Sequence, residues 1–378
     1  MAALINHSTL QGAKRLLYMT HLAIGDFVYQ GVWLRALKAK YPHLTIDIWF
    51  DDCRTKPHDW ATGRNKILGE WIDAIGDFNE TYPIVSNLDE RQAAIKRAQG
   101  KQYDTIVFIG KNRPEQFAKI ARQISPTATI VASKSGSLLG TIKGHQYFKK
   151  LDATFNYDKL ASNSQHVTDL YRQCFNIALG LEAKDLLDGK TQLSIDIKPQ
   201  YRDSVKPLIT ALTDNDADKL VVFINHLSTA TKKDYPWEQV KALLLQLNHQ
   251  FNNLVFVINT PPDQLRAVEE AISQDVVLKP LPILTFTALN NFFELPALIG
   301  LCDIVISVDT ATAHLAVCMG KPQVTIMASD FKLWQPLGDS LVLEGKGKAK
   351  SVTPEQVCKA FSCQVEAHFN GTGKYQPR

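Results

Sequence analysis

The stretch Ile304-Val305-Ile306-Ser307-Val308-Asp309-Thr310-Ala311-Thr312-Ala313-His314-Leu315-Ala316 reads as a short buried strand running directly into a helix start. Apolar β-branched residues up to Val308 suit a strand covered on both faces, as in a parallel sheet. Asp309 and Thr310 are residue types that cap helices. The small side chains after them let a ligand approach the backbone. Helix N-termini offer unpaired N–H groups and a partial positive charge, so this turn is a candidate anion holder. His314 falls on the first helical turn. It is either a hydrogen-bonded structural histidine or a ligand contact.

The same pattern recurs in both directions along the chain. In the first half, strands are expected at Arg15–Thr20, Leu44–Phe50, Asp104–Ile109 and Ala128–Ala132, with helices at Asp26–Lys40, Asp89–Gln99 and Pro114–Gln123. In the second half, strands are expected at Lys219–Asn225, Leu254–Asn259, Val276–Leu278, Ile304–Val308 and Gln323–Met327. Helices there are expected at Trp237–Gln250, Pro262–Ser273, Asn291–Leu301, Thr312–Met319 and Pro354–Ala367. Buried strands alternating with helices imply βαβ units and parallel sheets. Lys134–Ser164 breaks the rhythm and reads as a long loop, followed by a helix over Gln165–Leu181. A charged segment with Gly189 and Pro199, Leu186–Tyr201, marks the junction between two α/β domains, 1–190 and 191–378. The last helix is free to pack back on the first domain, and the polar tail Asn370–Arg378 is expected to fray.

Two other turns follow strong strands. Thr20-His21-Leu22-Ala23-Ile24-Gly25-Asp26 opens a helix. Gly25 permits close backbone approach, and Asp26 is either a helix cap or a general base. Asn225-His226-Leu227-Ser228-Thr229-Ala230-Thr231-Lys232-Lys233-Asp234-Tyr235-Pro236 gathers hydroxyls and lysines before a proline suited to a first helical turn. It is either a solvated loop or a phosphate cradle. Ligands of open parallel sheets bind beyond the carboxyl ends of strands, where these turns lie. Asp263, after the strand ending at Asn259, is a candidate for a ribose contact. No phosphate-binding G-x-x-x-x-G-K-[ST], no G-x-G-x-x-G after a strand, no G-x-S-x-G and no H-E-x-x-H occurs.

Bulk composition narrows the class. With 45% hydrophobic and 21% charged residues, neither disorder nor a membrane bundle is favoured. No apolar run reaches the roughly 18–20 residues of a spanning helix, and Met1–Gln11 lacks a signal-peptide pattern. A net charge of +4 does not by itself argue for nucleic acid. Six scattered cysteines with no C-x-x-C pair read as free thiols in a reducing compartment rather than a metal or redox site.

Taken in order, the three turns resemble those of glycosyltransferase family 9, the heptosyltransferases of bacterial lipopolysaccharide core assembly. The first mark is Ile24-Gly25-Asp26-Phe27-Val28 with Leu34–Lys38 and Tyr41-Pro42. The second is Ser228-Thr229 with Lys233-Asp234-Tyr235-Pro236-Trp237. The third is Ile306–Ala316 continuing to Gly320-Lys321-Pro322, closed by Asp330 and Trp334-Gln335-Pro336-Leu337. The resemblance implies an α/β GT-B fold, two Rossmann-like domains facing each other across a cleft. It places the acceptor on the N-terminal domain and the nucleotide sugar on the C-terminal one.

It also implies inverting, metal-independent transfer of heptose from ADP-heptose to the lipopolysaccharide or lipooligosaccharide inner core, with no cofactor. Asp26 matches the general base, beside Gly25. Lys233, Ser228, Thr229, Asp309, Thr310 and His314 match donor-contacting positions, Lys233 also stabilising the leaving diphosphate. Ala311 stands where the family usually has glycine.

The basic residues Arg54, Lys56, Arg64, Lys66, Lys111 and Arg113, with Lys134, Lys143, Lys149 and Lys150 in the long loop, suit an anionic acceptor. The expected partners are a nucleotide sugar and an anionic glycolipid, not nucleic acid. The expected place is the cytoplasm, with peripheral association at the inner membrane. Transfer to a protein or other glycan, a different nucleotide sugar, and non-catalytic nucleotide-sugar binding are the alternatives.

Overall fold

The computed structural model describes residues 3–54, 56, 58–135, 144–186, 195–329 and 332–378. The chain divides into two compact units, Met1–Thr191 and Gln192–Arg378. Residues 187–194, at this division, lie outside the described set, as do Lys143 and Asp330.

The N-terminal unit holds β1 (Arg15–Met19), β2 (Thr45–Trp49), β3 (Thr81–Tyr82), β4 (Thr105–Phe108), β5 (Thr129–Lys134) and β6 (Ala153–Asn156). The C-terminal unit holds β7 (Leu220–Asn225), β8 (Leu254–Asn259), β9 (Ile283–Phe286), β10 (Ile304–Val308), β11 (Gln323–Met327) and β12 (Ser340–Glu344). One sheet runs β3-β2-β1-β4-β5-β6 and the other β12-β11-β10-β7-β8-β9, every pairing parallel. Counted from each unit's own first strand, the order is the same doubly wound 3-2-1-4-5-6. Strand order therefore reverses between β1 and β4, and between β7 and β10. Those are the switch points beside which such sheets bind ligands. The central strands are mostly apolar and fully covered: every residue of β4, β7 and β10 is buried, as flanking crossover helices require.

Several elements depart from the sequence reading, each for a local reason. Val276–Leu278 is a turn rather than a strand, and Val276 is 87% exposed. The Asp275 carboxylate accepts the Val277 and Leu278 N–H groups, and this turn chemistry outweighs two β-branched valines. The strand lies further on, at β9. The expected loop Lys134–Ser164 contains edge strand β6 and a helix at Tyr157–Ser162. A short half-exposed edge strand carries little hydrophobic pattern. The basic stretch from Arg54 runs into a helix, Trp60–Ile75, which buries Leu68, Trp71 and Ile72 and exposes Lys66. Another helix, Pro199–Leu212, starts within the expected junction.

The tail is anchored rather than frayed. Asn252 N–H donates to Gln376 O at 3.1 Å and Arg378 N–H to Gln250 O at 2.7 Å, and Lys374 pairs with Asp303. The last helix, Pro354–Phe369, packs within its own unit. Val357, Phe361 and Val365 enter the core beside Leu247 and Phe251, and Gln364 donates to the carbonyls of Gln323 and Asp339. Phe361 is fully buried and meets Phe251 edge-on at 5.6 Å. Phe361→Ala is expected to cost roughly 3–5 kcal/mol. Urea unfolding followed by circular dichroism measures it, and a much smaller loss contradicts this packing.

Candidate active site

In the N-terminal unit, β1 leads through Thr20–Leu22 to a helix over Ile24–Lys40, with Ala23 as its extended N-cap residue. Asp26 is the third helical residue. Its Oδ2 accepts the Ala23 N–H at 3.1 Å, so it does cap the helix. Capping engages only one oxygen. Oδ1 accepts the hydroxyl of Tyr171 at 2.8 Å, from the helix Val167–Leu179. The residue keeps part of its surface exposed. Burial nonetheless pushes its carboxyl above the usual range, against the opposing pull of Tyr171, the Ala23 N–H and Arg64.

Beside it, the ends of β2 and β4 carry a basic cluster built on Asp52. This carboxylate, 1% exposed, lies 2.6 Å from Arg54 Nε and 3.6 Å from Arg113 Nη2. Arg113 Nε donates to the Asp52 carbonyl at 2.6 Å. Arg64 lies over the Trp60 ring at 4.0 Å and Arg54 at 4.7 Å, cation–π contacts that draw both guanidinium groups to the indole. Cys53 (φ 60°) and Arg113 (φ 51°) both occupy the left-handed region. Such strain costs about 1–3 kcal/mol per residue and gathers at functional turns. Burial, Arg113 and Arg64 bring His21 down to about 4, so it is neutral at physiological pH.

Among the sequence candidates, Arg54, Arg64 and Arg113 thus come together, Arg54 and Arg113 on the buried Asp52 carboxylate and Arg64 beside Arg54 over the Trp60 ring. The others do not join them. Lys66 sits 3.9 Å from Glu70 on the outer face of its helix, and Lys111 sits 3.4 Å from Asp158. Lys56 is exposed.

In the C-terminal unit, the turns after β7 and β10 flank the switch point and are tied to each other. Lys233 Nζ lies 2.7 Å from Asp309 Oδ2. Asn225, the last residue of β7, donates through Nδ2 to Thr310 Oγ1 at 3.0 Å and to Ser307 Oγ at 3.3 Å, and accepts Asn259 Nδ2 at 2.8 Å. Ser228 does not point outward: its N–H and hydroxyl both reach Asp234 Oδ1 at 2.7 Å and fold the loop on itself. That fold, closed by the His226–Tyr235 bonds, sets the single turn Thr231–Lys233 that carries the lysine. Thr229 is exposed on the loop.

Thr310 is the extended N-cap residue of the helix Ala311–Cys318, and its side chain makes no cap bond. Ala311 opens that helix in ordinary right-handed backbone. A glycine is therefore not required there for conformational reasons. His314 is buried on the first turn, 6.3 Å from the Trp334 ring. Asp263 is exposed beyond β8, and the side chain at that strand end that reaches the Asn225 network is Asn259.

Sequence reasoning did not single out Tyr171, Gln30, Asp52 or Asn259. Tyr171 lies 145 residues from Asp26 and reads as one more core position of an amphipathic helix. Asn225 was visible only as a strand end.

The family model described as glycosyltransferase family 9 (heptosyltransferase) matches residues 143–360, more than half of the chain. No curated protein matches in sequence. Among solved structures, a glycosyl transferase family 9 protein from Veillonella parvula DSM 2008 is similar at 18% identity and a TM-score of 0.67, covering 94% of this chain and 98% of its own. The E. coli ADP-heptose lps heptosyltransferase II is similar at 14% identity and 0.65, covering 93% and 99%. E. coli heptosyltransferase WaaC with ADP is similar at 16% and 0.59, again covering 93% and 99%. At these identities the likeness establishes the shared GT-B fold of two Rossmann-like domains.

The lysine, the hydroxyl of Thr310 and the helix start form a set suited to a diphosphate. Lys233→Ala is expected to weaken ADP binding by about tenfold or more, the scale of one charge-assisted hydrogen bond. Isothermal titration calorimetry with ADP measures it, and equal affinities exclude Lys233 from the anion site.

Proposed function

Since this chain belongs to glycosyltransferase family 9, we propose that it moves a heptose from ADP-heptose onto the inner core of lipopolysaccharide or lipooligosaccharide, with inversion and without a metal. The observation that carries the catalytic part of this reading is the state of Asp26. Both its oxygens are oriented by donors, part of the residue stays open to solvent, and burial makes it more basic than an ordinary aspartate.

The chemistry follows from these groups. A sugar hydroxyl attacks the anomeric carbon from the side opposite the nucleotide, and the C–O bond to the diphosphate breaks with inversion. Asp26 takes the hydroxyl proton as the new bond forms, a contribution of about 10²–10⁴ in rate. Its protonated form cannot do this, so the rate falls as pH drops through its raised pKa. The departing diphosphate gains negative charge. Lys233, the Thr310 hydroxyl and the start of the Ala311–Cys318 helix are placed to stabilise that charge in the role a divalent cation has in other enzymes. Asp309, 2.7 Å from Lys233, pairs with the lysine until the anion arrives.

On the acceptor side, Arg54 and Arg113 share the single carboxylate of Asp52, and Arg64 over Trp60 adds a third positive charge. That excess positive charge suits a phosphorylated or carboxylate-bearing sugar, as an anionic glycolipid presents. Among the described residues no helix is long and apolar enough to cross a membrane. We place the protein in the cytoplasm, in peripheral contact with the inner membrane where such an acceptor is held.

Two measurements test the reading. A thermal-shift panel of ADP, UDP, GDP and CMP sugars is expected to single out an ADP sugar; stabilisation by another nucleotide moves the donor assignment, and by none undermines it. Asp26→Asn is expected to keep donor-induced stabilisation and to lose transfer by about 10²-fold or more. Transfer near the wild-type rate removes Asp26 from the base role.

A further inference from the structure

We propose that Tyr171 is a positioning residue for the reaction. Its hydroxyl, aimed by Gln30, fixes which lone pairs of Asp26 remain for the acceptor's proton. This rests on the reading of Asp26 as the base.

Five side chains form a hydrogen-bonded network whose direction the ionised carboxylate sets. An ionised carboxylate only accepts, so the 2.8 Å contact between Tyr171 and Asp26 Oδ1 requires the phenol to donate. The phenol oxygen is left to accept, and Gln30, 2.9 Å away, presents its Nε2–H to it, with the Tyr157 side chain also within hydrogen-bonding reach. That choice turns Gln30 Oε1 toward two hydroxyl donors, Tyr18 at 2.7 Å and Thr20 at 3.1 Å. Reversing the amide would leave Tyr171 donating to Gln30 and two oxygens opposed at 2.8 Å on Asp26. The carboxylate therefore sets the orientation of the whole chain, and the chain in turn holds the carboxylate. An amide has no proton to pass on, so this is an orienting lock and not a proton wire.

The elements make the lock rigid. Asp26 and Gln30 are four apart on one helix face, Tyr18 comes from β1, and Tyr171 from the helix packed against them. Tyr18, Gln30 and Tyr171 are each at most 2% exposed. Buried polar groups of this kind cost about 1–3 kcal/mol each when left unpaired. With Tyr171 on Oδ1 and the Ala23 N–H on Oδ2, the carboxylate plane is fixed and one lone pair on each oxygen remains.

The groups facing Asp26 are Tyr171, Tyr157 from the start of the helix Tyr157–Ser162, Tyr18 from β1, and Arg64 from the helix Trp60–Ile75. Burial keeps all three phenols neutral. Arg64 is the charge in this set, and the Tyr171 bond is the other main side-chain force favouring the ionised carboxylate.

The test reads the carboxyl group directly. Protein labelled with [4-¹³C]aspartate is titrated by NMR, the Asp26 resonance being assigned with Asp26→Asn. Tyr171→Phe keeps the ring and removes the donor, so Asp26 is expected to titrate at higher pH. A fluorinated tyrosine at position 171 is a stronger donor of nearly the same shape, and is expected to shift the titration to lower pH. The acid limb of kcat/KM, measured with ADP-heptose and a Kdo-bearing lipid A acceptor, should move in the same two directions. In Tyr171→Phe the rate below the limb should fall roughly tenfold and recover at higher pH, with KM for the donor unchanged. A packing role cannot produce opposite shifts from the two replacements.

Identical Asp26 titrations in all three proteins overturn the proposal. If Tyr171→Phe proves unfolded by circular dichroism, the fluorinated protein decides alone. If Asp26→Asn transfers heptose normally, the base reading fails and the positioning role falls with it. If Asp26→Asn is inactive while the titrations coincide, only the role of Tyr171 is lost.

Discussion

The constraint behind both units is that a parallel strand cannot return to its neighbour through a tight turn. It needs a crossover, and the helix of that crossover starts at the carboxyl end of the strand before it. Every helix start, with its unpaired N–H groups, is thereby delivered to one edge of the sheet. Where strand order reverses, two such starts diverge and leave space between them. Thr20–Asp26 follows β1 at one reversal, while Asn225–Pro236 and Asp309–His314 follow β7 and β10 at the other. The chemistry-bearing residues sit there because the topology leaves those turns uncovered.

Polar side chains at the strand ends convert these turns into sites of defined shape. Asn225 binds groups from the β8 and β10 ends at once, so the lysine loop and the helix start after Val308 share one anchor. Asp52 does the same in the other unit, drawing Arg54 and Arg113 from different connections onto one carboxylate. In neither case does the anchor have to touch a substrate. Buried polar groups must find partners, and here that requirement sets the spacing of the groups that do face solvent.

Charge is distributed unequally between the two units. In the C-terminal unit, Lys233 is balanced by Asp309. In the N-terminal unit, arginines exceed the carboxylate of Asp52, and His21 adds no charge because burial and its arginine neighbours keep it neutral. Asp26 lies beside this positive set yet is made more basic by burial. The nearby arginine limits how far that shift goes.

The alternation of strand and helix, the apolar central strands and the three strand-to-helix turns were legible in the residues themselves. Each depends on interactions only a few positions apart. The resemblance carried by Ile24–Val28, Ser228–Pro236 and Ile306–Ala316 was legible for the same reason, and the family match, over residues 143–360, agrees with it and spans the last two of these stretches. Elements with weak local pattern were not: edge strands β6 and β12, the helix behind the basic stretch, and the turn that Asp275 imposes on Val276 and Val277. The partners of the site residues were beyond reach altogether. That Asp26 meets Tyr171, that Ser228 folds onto Asp234 while Lys233 reaches Asp309, and that Arg54 and Arg113 converge on Asp52 depend on which helices and loops pack together. Local sequence determined which groups stand at the strand ends. Tertiary packing decided their partners, their burial and hence their basicity, because desolvation and hydrogen bonding are properties of the assembled surroundings.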